Sequence, residues 1–199
     1  PDSAALDLTT MSVGAWVRPA QVKGDWQPLI VKESSTAVNR NFGLFLWPNA
    51  TRFHFSFQSG DCATWNYHDS VGSLTPNAWN HVMATYDGSK VNLYLNGRLD
   101  SSFSRSGSVC HNNEPVKIGR ELSAYTPFAG DIDEVRLFNR ALSAAEVQAL
   151  SQLSFPHRIT APWTFGGPIN EAGAAPAGAG SVEVAFVPGP QADVRGKAV

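Results

Sequence analysis

The stretch Trp79-Asn80-His81-Val82-Met83-Ala84-Thr85-Tyr86-Asp87-Gly88-Ser89-Lys90-Val91-Asn92-Leu93-Tyr94-Leu95-Asn96-Gly97 decides the fold class. Residues 81–86 and 90–95 are rich in β-branched and aromatic side chains, and Asp87-Gly88 separates them. Asn96-Gly97 then turns the chain into Arg98-Leu99. Asp-Gly and Asn-Gly are strong hairpin signals, because both central residues of a type I′ turn take positive φ. The stretch therefore reads as a meander of antiparallel strands.

Outward from it, the same pattern recurs. Residues 12–19 put Val13, Ala15 and Val17 on one face and Trp16 on the other. Residues 42–47 put Phe42, Leu44 and Leu46 on one face, with Phe45 and Trp47 opposite. Residues 52–58 turn Phe53, Phe55 and Phe57 inward and Arg52, His54 and Ser56 outward. Pro48-Asn49-Ala50-Thr51 is short enough to make the last two a hairpin. Further strands are expected over 116–119 and 130–139. Many short strands set between turn signals describe a sandwich or barrel. One helix stands out: Ser143 is its N-cap, Glu146 completes a capping box, and Val147 and Leu150 face the body as it runs to about residue 150.

Composition excludes several classes. The chain has 199 residues, 43% hydrophobic and only 16% charged, which suits one folded all-β domain better than a disordered or coiled-coil chain. Net charge is −2 with Lys and Arg scattered, so no electrostatic footprint for nucleic acid is present. No run approaches the roughly 20 apolar residues of a membrane span, so no membrane insertion is expected. The start Pro1-Asp2-Ser3 reads as that of a processed or excised piece.

Cys62 and Cys110 each sit among small and polar residues, as loops would have it. One reading is a disulfide in a secreted protein. The others are two free thiols, or a metal site with His68 and His111. Neither cysteine belongs to a C-x-x-C pair, which tells against zinc.

Four segments in order resemble bacterial laminin G-like domains of the concanavalin A-like lectin/glucanase superfamily. They are Ser12-Val13-Gly14-Ala15-Trp16-Val17-Arg18-Pro19, Trp79 to Gly88, Val91-Asn92-Leu93-Tyr94-Leu95-Asn96-Gly97, and Phe128 to Ser143 with its Ile132-Asp133-Glu134-Val135-Arg136 core. The resemblance implies an all-β, two-sheet antiparallel jelly-roll sandwich with one short helix, its body spanning residues 1–151. The family's opening strands resemble residues at the other end, Ile159 to Phe165 and Val194 to Val199, so 152–199 reads as the start of a domain in permuted order. Those strands either complete their own domain or are donated to a neighbouring copy. A Gly/Ala/Pro-rich loop at 166–180 and a strand at 182–187 lie between them.

Enzymes of this superfamily carry paired carboxylates on a concave sheet, usually as E-x-D-x-x-E, and nothing here matches. The nearest group, Asp131-Ile132-Asp133-Glu134, falls on the closing strand. The resemblance implies calcium near that strand, with Asp131 and Asp133 as ligands. A competing reading has Asp131 capping a turn and Glu134 pairing with Arg136 or Arg120.

The outward aromatics suggest a carbohydrate cleft formed by Trp47, Arg52, His54, Trp65, Tyr67 and His68, with the last three in the loop region after Cys62 and Trp26 in another loop. Trp16 and Trp79 read as core. The function expected is a secreted, non-catalytic module binding a polysaccharide or glycoprotein glycan. The alternative is a structural or adhesive repeat that assembles with copies of itself.

Overall fold

The computed structural model describes residues 2–34, 39–60, 62–120 and 125–153. The expected strands at 159–165, 182–187 and 194–199, and the loop at 166–180, lie outside the described residues.

Among the described residues, ten strands and one α-helix follow in order after a single 3-10 turn at Ala4–Leu6. The strands are β1 (Met11–Pro19), β2 (Gln27–Lys32), β3 (Phe42–Leu46), β4 (Phe53–Ser59), β5 (Thr64–Asp69), β6 (Asn80–Tyr86), β7 (Lys90–Leu95), β8 (Arg98–Ser104), β9 (Lys117–Ile118) and β10 (Gly130–Phe138); the helix α1 is Ala144–Leu153. They form two five-stranded antiparallel sheets, ordered β10-β1-β6-β7-β8 and β5-β4-β3-β2-β9. This is the two-sheet jelly-roll sandwich expected from the sequence.

Strand alternation builds the core. Side chains at every second residue share a face, so Phe42, Leu44, Leu46, Phe53, Phe55 and Phe57 of the second sheet meet Val13, Ala15, Val17, Val82, Ala84 and Tyr86 of the first. Fully burying one such large apolar side chain stabilises the fold by about 1.5–3 kcal/mol. The outer face of the first sheet is capped separately: Met83, Tyr94 and Phe138 pack on Leu142, Val147 and Leu150. Gly14 permits that arrangement, since a Cβ there would stand 2.6 Å from the Val82 carbonyl oxygen and 2.7 Å from Met83 Cε. The capping box forms as expected, with Ser143 N–H donating to Glu146 Oε2 at 2.8 Å and Glu146 N–H to Ser143 Oγ at 3.3 Å.

Three local expectations change. Asn96 and Gly97 both take positive φ, but at Asp87-Gly88 only the glycine does. There the Asp87 carboxylate closes the turn instead, accepting the N–H groups of Ser89 at 2.8 Å and Lys90 at 2.7 Å. Trp79 is half-buried and not core, with the Arg18 guanidinium 5.5 Å from its ring centroid. Residues 64–69 are a strand, β5, paired along β4, and not a loop.

Cys62 and Cys110 form a disulfide with Cα atoms 5.2 Å apart. The free-thiol and metal readings of these cysteines are thereby excluded. The bridge joins the turn entering β5 to the segment preceding β9.

Candidate functional site

The outer face of the second sheet is hollowed. Because Phe53, Phe55 and Phe57 of β4 point into the core, His54, Ser56 and Gln58 point out. Ladder pairing sets Phe45 of β3 beside His54, and sets Asp69, Tyr67 and Trp65 of β5 beside His54, Ser56 and Gln58. Three loops then supply walls: Trp26 precedes β2, Arg40 precedes β3, and Tyr125 lies between β9 and β10. Together Trp26, Arg40, Phe45, His54, Trp65, Tyr67 and Tyr125 line an open hollow of about 300 Å³. That volume lies at the lower end of the roughly 300–1,000 Å³ of small-molecule sites, and the mix of rings with a few fixed polar groups is their usual lining.

The floor is rigid. The Arg40 guanidinium lies 4.7 Å from the ring centroids of both Phe45 and Trp65. Its Nε donates to Glu33 Oε2, and its Nη1 donates to Ser56 Oγ at 2.6 Å. Glu33 is fully buried and Arg40 only 4% exposed, so this is an ion pair beneath the surface. Gly43 makes room for it: a Cβ there would lie 2.5 Å from Phe45 Cε2 and 3.0 Å from Arg40 Cδ.

His54 is held as firmly. Its Nδ1 is 2.6 Å from Asp69 Oδ1, which also accepts Trp47 Nε1–H at 2.7 Å. Burial works against the Asp69 charge, but the bonds from His54 and Trp47 outweigh it and hold the carboxyl below its ordinary pKa. Burial likewise pushes the His54 pKa down, against the pull of Asp69 and with the help of Arg40. The ring is thus a neutral imidazole at pH 7, its Nδ1 proton directed at Asp69. No described residue bonds Nε2, which opens as an acceptor into the hollow that His54 lines.

Aromatic contacts complete the walls. The Trp26 ring centroid is 4.8 Å from that of Trp47 and 4.7 Å from that of His54. Trp65 and Tyr67 have nearly parallel rings 5.7 Å apart, and Tyr67 is 55% exposed. Asp25 ties two of the loops, accepting the N–H groups of Trp26 at 2.8 Å and Thr126 at 3.3 Å.

Of the expected site residues, the structure brings His54, Trp65 and Tyr67 into the lining. Trp47 stands behind it, buttressing Trp26, and Arg52 lies over Trp47 with its guanidinium 5.8 Å from the ring. His68 does not belong to the site: neighbours on a strand point to opposite faces, and Tyr67 takes the outer one. His68 is therefore buried, with Phe103 5.0 Å away and Phe57 6.1 Å away between ring centroids. Arg40, Phe45, Asp69 and Tyr125 were not singled out as site residues from the sequence. Phe45 was placed on the outward face by alternation, whereas Arg40 and Tyr125 come from loops with no period to read.

The expected calcium ligands are otherwise engaged. Asp131 Oδ2 accepts both Nε–H, at 2.7 Å, and Nη2–H of Arg18, its ladder partner on β1. Asp133 is exposed and accepts the Glu134 N–H at 2.8 Å. Glu134 pairs with Arg136 at 2.7 Å. Among the described residues no third acidic, His or Cys side chain joins them in a metal-ligating group.

Several solved structures share the fold. The CBM40 of the Ruminococcus gnavus IT-sialidase, bound to α2,3-sialyllactose, superposes with a TM-score of 0.61 at 18% identity over 72% of this chain and 83% of its own. Domain 4 of an extracellular arabinanase from Geobacillus stearothermophilus, in complex with arabinotriose, gives 0.59 at 23% identity over 76% and 70%. A Bacteroides ovatus protein thought to bind carbohydrate gives 0.58 at 18% identity over 74% of this chain, which spans only 42% of that longer protein. No protein of curated function matches the sequence. The laminin G-like family model described as "Concanavalin A-like lectin/glucanases superfamily" matches residues 1–148.

Proposed function

We propose that this chain, which belongs to the concanavalin A-like lectin/glucanase superfamily, is a non-catalytic carbohydrate-binding module that works outside the cell. The observation that carries this reading is the ring-lined hollow with Arg40 and His54 fixed in its floor. Rings of Trp and Tyr offer flat apolar area at little entropic cost, and their polar neighbours orient what stacks on them. The neighbouring structures with sialyllactose and arabinotriose bound are modules or domains of larger enzymes, which supports the same class of ligand. The carboxylates nearest the hollow already serve other partners: Glu33 is buried against Arg40, and Asp69 holds His54 and Trp47. Neither stands as one of the two carboxyl groups that flank a glycosidic bond in a hydrolase. The disulfide suits an oxidising, extracellular compartment.

Calorimetric titration with soluble oligosaccharides tests the reading. Binding should be measurable with the intact chain, and Trp26→Ala or Trp65→Ala should each weaken it about tenfold, equivalent to about 1.4 kcal/mol. Saccharide binding that both variants leave untouched would move the site elsewhere. The self-assembling alternative rests on residues 159–199, which lie outside the described residues.

A further inference from the structure

We infer that the hollow selects neutral sugars and discriminates against glycans bearing a carboxylate. The inference rests on the carbohydrate-binding reading and deepens it to a ligand class. Its basis is the charge and hydrogen-bonding balance of the floor. Arg40 is the cation among the described lining residues, and Glu33 already compensates its charge from a fully buried position. Asp69 beside His54 adds a second negative charge, and Arg52 a positive one farther out over Trp47. These four charges sum to zero and Asp25, which ties the wall loops beside Trp26 and Tyr125, adds a further negative one, so an entering carboxylate finds no uncompensated cation. It would also lose its hydration among aromatic rings, which costs heavily without a new partner.

The polar atoms of the floor that have no partner among the described residues point the same way. His54 Nε2 offers a lone pair, because Nδ1 keeps the proton against Asp69. Arg40 has Nε on Glu33 and Nη1 on Ser56, leaving Nη2 as a donor without a described partner. One acceptor and one donor in the same floor suit a hydroxyl group, which both gives and accepts a hydrogen bond. A carboxylate only accepts, so it would set its lone pairs against that of His54.

An array of neutral oligosaccharides, each printed beside its sialylated or uronic acid counterpart, tests this with the whole chain. The expected signal falls on neutral members, at least tenfold weaker on the acidic partner of each pair. It should also be unchanged between roughly 0.05 and 0.5 M NaCl, a range over which an exposed ionic contact is progressively screened. Preference for acidic members, or binding that salt weakens, would overturn the inference while leaving the carbohydrate reading standing. Silence across the whole array would overturn both. Glu33→Gln supplies a second arm: with Arg40 uncompensated, the folded variant should gain signal on acidic glycans. If that variant does not fold, the comparison of neutral and acidic members by the native chain still decides.

Discussion

Gln58 carries Arg40: its Oε1 accepts the Arg40 backbone N–H at 2.7 Å, and the Arg40 carbonyl accepts the Gln58 N–H at 2.9 Å. The same Gln58 side chain donates from Nε2 to the Cys62 carbonyl at 2.8 Å, and the Gln58 carbonyl accepts Cys110 N–H at 2.8 Å. The disulfide is therefore one residue away from the arginine in the floor of the hollow. A covalent link at the end of the sheet and the cation in the floor of the hollow belong to one hydrogen-bonded unit.

Removing that link should be felt at both places. The bridge spans a sequence separation of 48, and the chain-entropy model assigns a loop of that size about 4 kcal/mol. The Cys62→Ser/Cys110→Ser variant should lose stability of that order in urea denaturation. Where it is still folded, it should also bind its saccharide more weakly, because Gln58 no longer positions Arg40. A variant with lowered stability and native affinity would show that Gln58 holds Arg40 unaided.

Gly43→Ala probes the floor from below. The new methyl meets side-chain atoms of Phe45 and Arg40, not backbone, so these two must shift while the strand stays paired. Overpacking of this kind costs about 1–3 kcal/mol. The expected result is a modest loss of stability with a larger proportional loss of affinity. Titration and denaturation of the same variant check it, and unchanged affinity would mean that the guanidinium position is not what the ligand reads.

The sandwich was legible because its strands carry a period of two that one face of the core enforces. Phe53, Phe55 and Phe57 announced β4, and with it the outward direction of His54. What was not legible came from elements without a clean period. β5 alternates Trp65 and Tyr67 with Asn66 and His68, so its buried face is polar and the segment resembles a loop. That ambiguity put Trp65, Tyr67 and His68 together in a loop, whereas the strand turns His68 to the face opposite the other two. Arg40 and Tyr125 reach the hollow only through loop geometry, and the Arg18–Asp131 pair that occupies the expected metal ligand depends on the register of β1 against β10. Local sequence fixes neither.

Binding should be lost in acid through His54. Burial holds its pKa below the ordinary 6.5, so at pH 7 Nε2 carries a lone pair, and Asp69 is ionised throughout the relevant range. Protonation turns Nε2 from acceptor to donor and places a cation beside Arg40. Affinity should be level above pH 7 and should fall once the pH drops through the lowered value. By linkage, bound ligand should push the His54 pKa down further. Histidine titration by NMR with and without saccharide measures that shift directly, and a pKa that ligand raises would reverse the assigned role of Nε2.

Stability should also fall in acid, for a different reason and at different histidines. His68 is held at about 4 chiefly by burial, with Arg105 and His54 adding to it, and His81 is held at about 4 by burial and Arg136. Both are neutral in the folded chain and regain a pKa near 6.5 when unfolded. Their contribution is complete above pH 6.5 and drains away as the pH falls towards 4, since only the unfolded chain takes up the protons there. Each histidine accounts for at most about 3 kcal/mol over that window. His68 separates the two effects: both its ring nitrogens lack partners among the described residues, and it packs between Phe57 and Phe103. Replacing an unsatisfied buried polar group by an apolar one of similar size is neutral or stabilising. His68→Leu should therefore match the native chain in urea at pH 7.5 and exceed its stability at pH 5, with affinity unchanged at neutral pH. Equal acid sensitivity in the variant would move the whole effect to His81 and the carboxylates.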